Sequence, residues 1–200
     1  KNIILSPEQE RAVATLDIQW REESKKPLLL HGVTGSGKTE LYKYAIKRAY
    51  AEGKSTILLL PEVSLAASFT TRLTQELGTE IPLYQYHSAM AAADRTAVWE
   101  AIKQEKPCCI IGVHLPILLP ITTLGCIIID EEHDVGYQEK RHPKLNTKEL
   151  ALLRAQILNI PSILGSATPS VQTWQYAQLR NWHHVSLTKR YQGSWPTISV

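Results

Sequence analysis

The sequence predicts an α/β protein: a mostly parallel sheet with helices on both faces. Two observations carry this expectation. A glycine-rich segment, Gly32-Val33-Thr34-Gly35-Ser36-Gly37-Lys38-Thr39, stands between a short apolar run and a stretch of helical period. Elsewhere, short apolar runs alternate with helix-period stretches of ten or more residues, as in a parallel sheet whose crossovers cover both faces.

The elements follow in order. Ser6 is an N-cap residue and Pro7 takes the first helical position, so a helix runs to about Trp20. Pro27 closes a polar stretch, and residues 28–31 read as a short buried strand. After the glycine-rich loop, residues 40–50 place apolar side chains at helical spacing until Gly53 stops them. Further strands are expected at 56–60, 81–86, 108–112, 126–130 and 162–164, the run at 126–130 being strongly apolar. Helices are expected at 65–77, 91–104, 147–158 and 170–179. No repeat, low-complexity segment or linker interrupts the series, so residues 1–200 read as one domain.

Composition is that of an ordinary globular protein, 44% hydrophobic and 20% charged. A net charge of +3 permits an acidic partner without demanding one. Cys108, Cys109 and Cys126 match neither a zinc spacing nor a disulfide framework, and read as buried apolar residues of a cytosolic protein. No apolar run approaches the roughly 20 residues that cross a bilayer. No signal peptide opens the chain. The expectation is a cytoplasmic protein with no membrane partner. The chain opens close to its first motif and ends at Val200 without a closing signal, as a fragment would.

The glycine-rich segment is a phosphate loop. Gly32, Gly35, Ser36 and Gly37 let successive amide N–H groups face phosphate oxygens, and the following helix adds its positive end. Lys38 reaches the β- and γ-phosphates, and the Thr39 hydroxyl ligates Mg²⁺. A second element, Ile127-Ile128-Ile129-Asp130-Glu131-Glu132-His133, sets acids at the C-terminal edge of a strand, facing the ligand crevice. Asp130 is the candidate for holding Mg²⁺, mostly through water, and Glu131 for polarising the attacking water. The alternative is a solvated acidic turn. His133 either links this cluster to the rest of the protein or is structural. Gly165-Ser166-Ala167-Thr168-Pro169-Ser170 offers Ser166 and Thr168 hydroxyls to the acidic cluster; otherwise it is a turn with a helix cap.

Asp130-Glu131-Glu132-His133 resembles the DExH box of superfamily two helicases. With the segments 30–40 and 60–65, Tyr86-His87-Ser88, Arg95, Trp99, Asp134, Tyr137, 165–170 and 187–190, the chain resembles the PriA family of primosomal replication-restart helicases along nearly its whole length. The resemblance implies a RecA-like first helicase lobe that hydrolyses ATP with Mg²⁺ to move 3′ to 5′ on single-stranded or forked DNA, alongside replication-restart proteins. It extends the nucleotide site to Glu40 and to Gln9, the match to an adenine-reading glutamine; a solvated helix residue is the other reading of Gln9. Ser64 and His114 match positions that touch single-stranded DNA, or else lie in ordinary turns.

Two segments depart from the family. Val113-His114-Leu115-Pro116 replaces Gly-Thr-Arg-Ser, which removes an arginine and both hydroxyls. The loop at 138–146 contains no Phe, Tyr or Trp, so base stacking cannot arise there; Lys140 and Arg141, with His142 and Lys144, are its candidate strand contacts, unless the loop is simply solvated. Residues from about 186 on lead toward a second lobe, whose arginine finger the site lacks. An isolated lobe is therefore expected to be nearly inactive. The alternatives are a nucleotide-binding switch without DNA coupling, and an excision-repair type helicase that fits the 61 and 134 regions worse.

Overall fold

The computed structural model describes residues 5–139 and 144–190. Along them run α1 (Pro7–Arg21), β1 (Leu28–Gly32), α2 (Lys38–Ala51), β2 (Ser55–Leu59), α3 (Val63–Leu77), β3 (Leu83–Gln85) and α4 (Ala92–Lys103). Then come β4 (Cys109–Gly112), β5 (Leu124–Ile129), α5 (Thr147–Leu158), β6 (Ser162–Ser166), α6 (Val171–Leu179) and β7 (His183–Leu187). The seven strands form one parallel sheet in the order β3-β4-β2-β5-β6-β1-β7.

Strand alternation divides the core in two. Leu28, Leu58, Ile111, Ile128 and Ile163 pack with Leu16 of α1, Leu41 of α2 and Leu73 of α3. Leu29, Ile57, Ile110, Ile127 and Leu164 pack with Val98 of α4, Ala151 of α5 and Ala177 of α6. With both faces covered, the central strands need apolar residues at every position, which is why they read as unbroken runs rather than alternations. The fold class expected from sequence, helices on both sides of a parallel sheet, is the fold observed. The cysteines are free and buried, and burial pushes all three thiols up. No helix among the described residues is long and apolar enough to cross a membrane.

Element edges differ where local chemistry overrides period. The Ser6 side chain caps α1 at Gln9 N–H, and the Gln9 side chain answers at Ser6 N–H, a reciprocal pair that fixes the helix start. Gly37, at φ +86°, turns the loop straight into α2 at Lys38. β3 is shorter than the expected 81–86 because Pro82 has no N–H to offer; its carbonyl still accepts from Cys109 N–H at 2.9 Å. β7 has no counterpart in the sequence reading. His-His-Val-Ser-Leu shows no apolar alternation, yet it pairs with the whole of β1. The Glu8 carboxylate then accepts Thr188 N–H and Oγ–H at 2.8 and 2.6 Å, bonds that hold its pKa below the usual carboxylate range. Position 186, where the sequence reading placed an exit from the domain, thus lies within strand β7 and just before this anchor.

Candidate nucleotide site

The strand order β5-β6-β1 brings the C-terminal ends of three strands side by side, and the phosphate loop leaves from the last of them. Gly35 (φ +80°) and Gly37 (φ +86°) take a backbone conformation that L side chains rarely adopt. Gly32 is constrained differently: a Cβ there would meet Ser36 Oγ at 2.5 Å. Ser36 Oγ, turned toward Gly32, is buried without a hydrogen-bond partner. Gln9 is fully buried beneath this loop, donating from Nε2 to Ser36 O at 3.3 Å while Oε1 accepts from Ser6 N–H at 2.8 Å. Gln9 is therefore not a solvated helix residue, but both ends of its amide are bonded to backbone groups and it does not line the cleft, so the geometry does not present it to an adenine edge.

Lys38 is buried; its Nζ donates to Gly32 O at 2.8 Å and lies 3.7 Å from Glu131 Oε1. Thr39 Oγ1 accepts from Arg72 of α3 at 2.9 Å, and Glu40 pairs with Lys43 at 2.6 Å. Asp130 accepts at Oδ1 from the hydroxyl of fully buried Tyr42, at 2.8 Å. Burial raises the Asp130 pKa, as does neighbouring Glu131, while the Tyr42 bond and Lys38 oppose them. Glu131 sits at φ +46°, a strained backbone state for a non-glycine residue, of the kind that gathers at functional sites. That turn leaves its carboxylate 3.7 Å from both Lys38 Nζ and His133 Nδ1.

Tyr42 reaches Asp130 by crossing β6 at Gly165, where a Cβ would lie 1.7 Å from the tyrosine oxygen. Gly165→Ala is accordingly expected to destabilise the fold by about 1–3 kcal/mol through overpacking. A denaturant midpoint measures this, and Tyr42→Phe should recover part of the loss in the double variant. An unchanged midpoint would mean that Tyr42 does not occupy this crossing.

On the far side of the acidic cluster, His133 Nδ1 and Ser166 Oγ are 2.7 Å apart, and Ser166 Oγ accepts Thr168 N–H at 3.0 Å. The three candidate coupling residues thus meet. Glu132, which the motif reading passed over, is 1% exposed and pairs with Lys148 of α5 at 2.9 Å. Sequence reasoning also missed Tyr42, Arg72 and Lys148. Only Tyr42 carried a signal, one helical turn after Lys38 and so on the same side of α2.

Lys38, Thr39, Glu40, Asp130 and Glu131 line one cleft of about 590 Å³ together with Pro61, Phe69 and Arg72, a size suited to a nucleotide. The candidate strand contacts are spread more widely. Ser64 is exposed on the first turn of α3, its hydroxyl donating to Glu62 at 3.1 Å. His114 Nδ1 is 2.5 Å from Thr147 Oγ1. Lys140 and Arg141 lie outside the described residues. The base of their loop is closed by a Gln138–Asn146 bridge and by Glu139 N–H donating to Leu145 O at 2.9 Å.

The DEAD/DEAH box helicase family model matches residues 6–176. The replication restart protein PriA of Bacillus subtilis (strain 168) is 35% identical over 186 residues, 93% of this chain and 23% of that protein. The Chlamydia trachomatis PriA is 38% identical over 194 residues, 96% of this chain and 26% of that one. This chain therefore spans about a quarter of such relatives. The structure of RecG bound to a three-way DNA junction superposes with a TM-score of 0.69 over 94% of this chain and 24% of that one. At 22% identity that likeness concerns the fold alone.

Proposed function

Because this chain belongs to the DEAD/DEAH box helicase family, we propose that it is the ATP-binding lobe of a PriA-like DNA helicase. In this reading the whole protein moves 3′ to 5′ on single-stranded or forked DNA during replication restart, in the cytoplasm, with replication-restart proteins as partners. The observation that carries the proposal is the meeting of Lys38, Thr39, Asp130 and Glu131 at one cleft, with His133 hydrogen-bonded to Ser166 directly behind it. The 35% identity to a replication restart protein supports the biological setting.

The chain suits Mg²⁺–ATP on its own chemistry. Two glycines at positive φ, the unpartnered Ser36 hydroxyl, and an acid and a hydroxyl lining one cleft are what a metal–triphosphate requires. Thr39 and Asp130 would hold the metal, which when bound neutralises charge developing on the phosphates. Lys38 exchanges its Gly32 carbonyl for phosphate oxygens. Glu131 orients and deprotonates the attacking water. Gln9 acts on the nucleotide through the Ser36 carbonyl that it holds. Motion passes from Glu131 through His133 to Ser166 and Thr168, and the strand is met by Ser64, His114, Lys140 and Arg141.

A second lobe must supply the arginine finger that completes the site. The isolated lobe is thus expected to hydrolyse ATP about 10³–10⁵-fold more slowly than the full-length protein. The decisive experiment is ATP hydrolysis by the full-length protein with and without single-stranded DNA. Stimulation by the strand is expected. Nucleotide binding with hydrolysis indifferent to DNA would sink the proposal and leave a nucleotide-binding switch in its place.

A further inference from the structure

The first turn of α5 touches more of this machinery than its place in the chain requires. Lys148 is 7% exposed and its Nζ lies 2.9 Å from Oε2 of Glu132, itself 1% exposed. A charge pair at this depth pays a desolvation penalty that an apolar pair would avoid, so stability alone does not explain it. Glu132 grips the 166–170 turn at both ends. Its N–H donates to Gly165 O at 3.0 Å, and its Oε1 accepts Ser170 N–H at 2.7 Å. Oε2 also accepts the Thr173 and Ser170 hydroxyls, at 2.6 and 3.2 Å.

The other side of the same helical turn faces the candidate strand contacts. Thr147, 2% exposed, is hydrogen-bonded to His114 in the loop after β4. Asn146, the N-cap of α5, forms the bridge that closes the charged loop at Gln138. Two loops read as meeting the strand and the turn read as coupling therefore converge on consecutive residues.

We propose that Thr147 and Lys148 are positioning residues that pass strand engagement to the ATP site, through the buried Lys148–Glu132 pair and the 166–170 turn it holds. Any displacement of this pair is transmitted directly, since Glu132 is covalently next to Glu131 and Ser166 bonds His133. Packed interiors carry such shifts because they do not deform continuously. The proposal rests on the DNA-coupled reading above.

The test uses the full-length protein and three variants. Lys148→Met combined with Glu132→Gln removes the charges together, while the amide still accepts from Ser170. Thr147→Val removes one hydroxyl isosterically. Lys148→Arg keeps the cation. ATP turnover with and without single-stranded DNA, the affinity for a fluorescent ATP analogue and the affinity for the strand are measured for each. The double variant should lower the ratio of stimulated to unstimulated turnover about tenfold. Thr147→Val should lower it in the same direction, and Lys148→Arg should retain most of it. Nucleotide affinity should stay within about twofold in all three, since Glu132, Thr147 and Lys148 do not line the cleft, and the double variant should leave strand affinity equally unchanged. An unchanged ratio, or an equal loss of nucleotide affinity, overturns the proposal. A wild-type protein without any stimulation overturns the underlying reading instead.

Discussion

Lys38→Ala is expected to reduce ATP hydrolysis by the full-length protein about 10²–10³-fold, the usual cost of removing one preorganised charge donor from a transition state. The structure separates this loss from unfolding. Lys38 is the first residue of α2, where alanine is the best helix former, and its Nζ bonds only to a loop carbonyl and a partly exposed glutamate. Its stem is buried, so a small change in melting temperature is expected while the catalytic loss is large. Steady-state turnover and thermal unfolding, measured on the same preparation, give the two numbers. Turnover within tenfold of the parent would mean that Lys38 does not meet the phosphates. A folded variant with a large loss places it on them.

How much of this could be read from the sequence depends on whether a feature is local. The phosphate loop was legible because its glycine positions are dictated by backbone conformation, and Gly35 and Gly37 do adopt positive φ. The acidic cluster was legible because an unbroken apolar run must end where the strand meets solvent. β7 was not legible: its signal lies in pairing with β1, 155 residues earlier in register at Leu28↔His183, and His183 is held by Glu22 rather than by apolar packing. The Lys148–Glu132 pair was equally hidden. Lysine is almost never buried unless paired, so nothing in a Thr-Lys-Glu helix start marks it as interior. Gly165 belongs to the same class. Its need for a missing side chain comes from Tyr42, brought across from another helix.

The two acids of the cluster are anchored differently. Asp130 is held by Tyr42 and half-buried, and its backbone N–H donates to Leu59 O at 3.0 Å, so its carboxylate has one fixed direction. Glu131 has no such anchor; its carboxylate stands between Lys38 and His133 at 3.7 Å from each. In the proposed reading the first acid holds a cation and the second exchanges partners during a cycle.

Glu131→Gln should therefore lower turnover about 10²–10⁴-fold, the range for loss of a positioned general base. Nucleotide affinity should hold or rise. Glutamine keeps the length and shape of the side chain but removes the negative charge that faces both Lys38 and the incoming phosphates. Lys38 is then released from its 3.7 Å ionic partner and is more available to the triphosphate. The left-handed backbone at position 131 costs glutamine about what it costs glutamate, so the change should be nearly silent in stability. Asp130→Asn is the contrasting variant. It weakens the metal position and should raise the Mg²⁺ concentration needed for half-maximal nucleotide binding, which Glu131→Gln leaves unchanged. Binding titrations at several Mg²⁺ concentrations, beside single-turnover hydrolysis, separate the two roles. If Glu131→Gln lost binding and turnover together, the assignment of Glu131 to the water would be wrong, and the acid would belong with Asp130 at the metal.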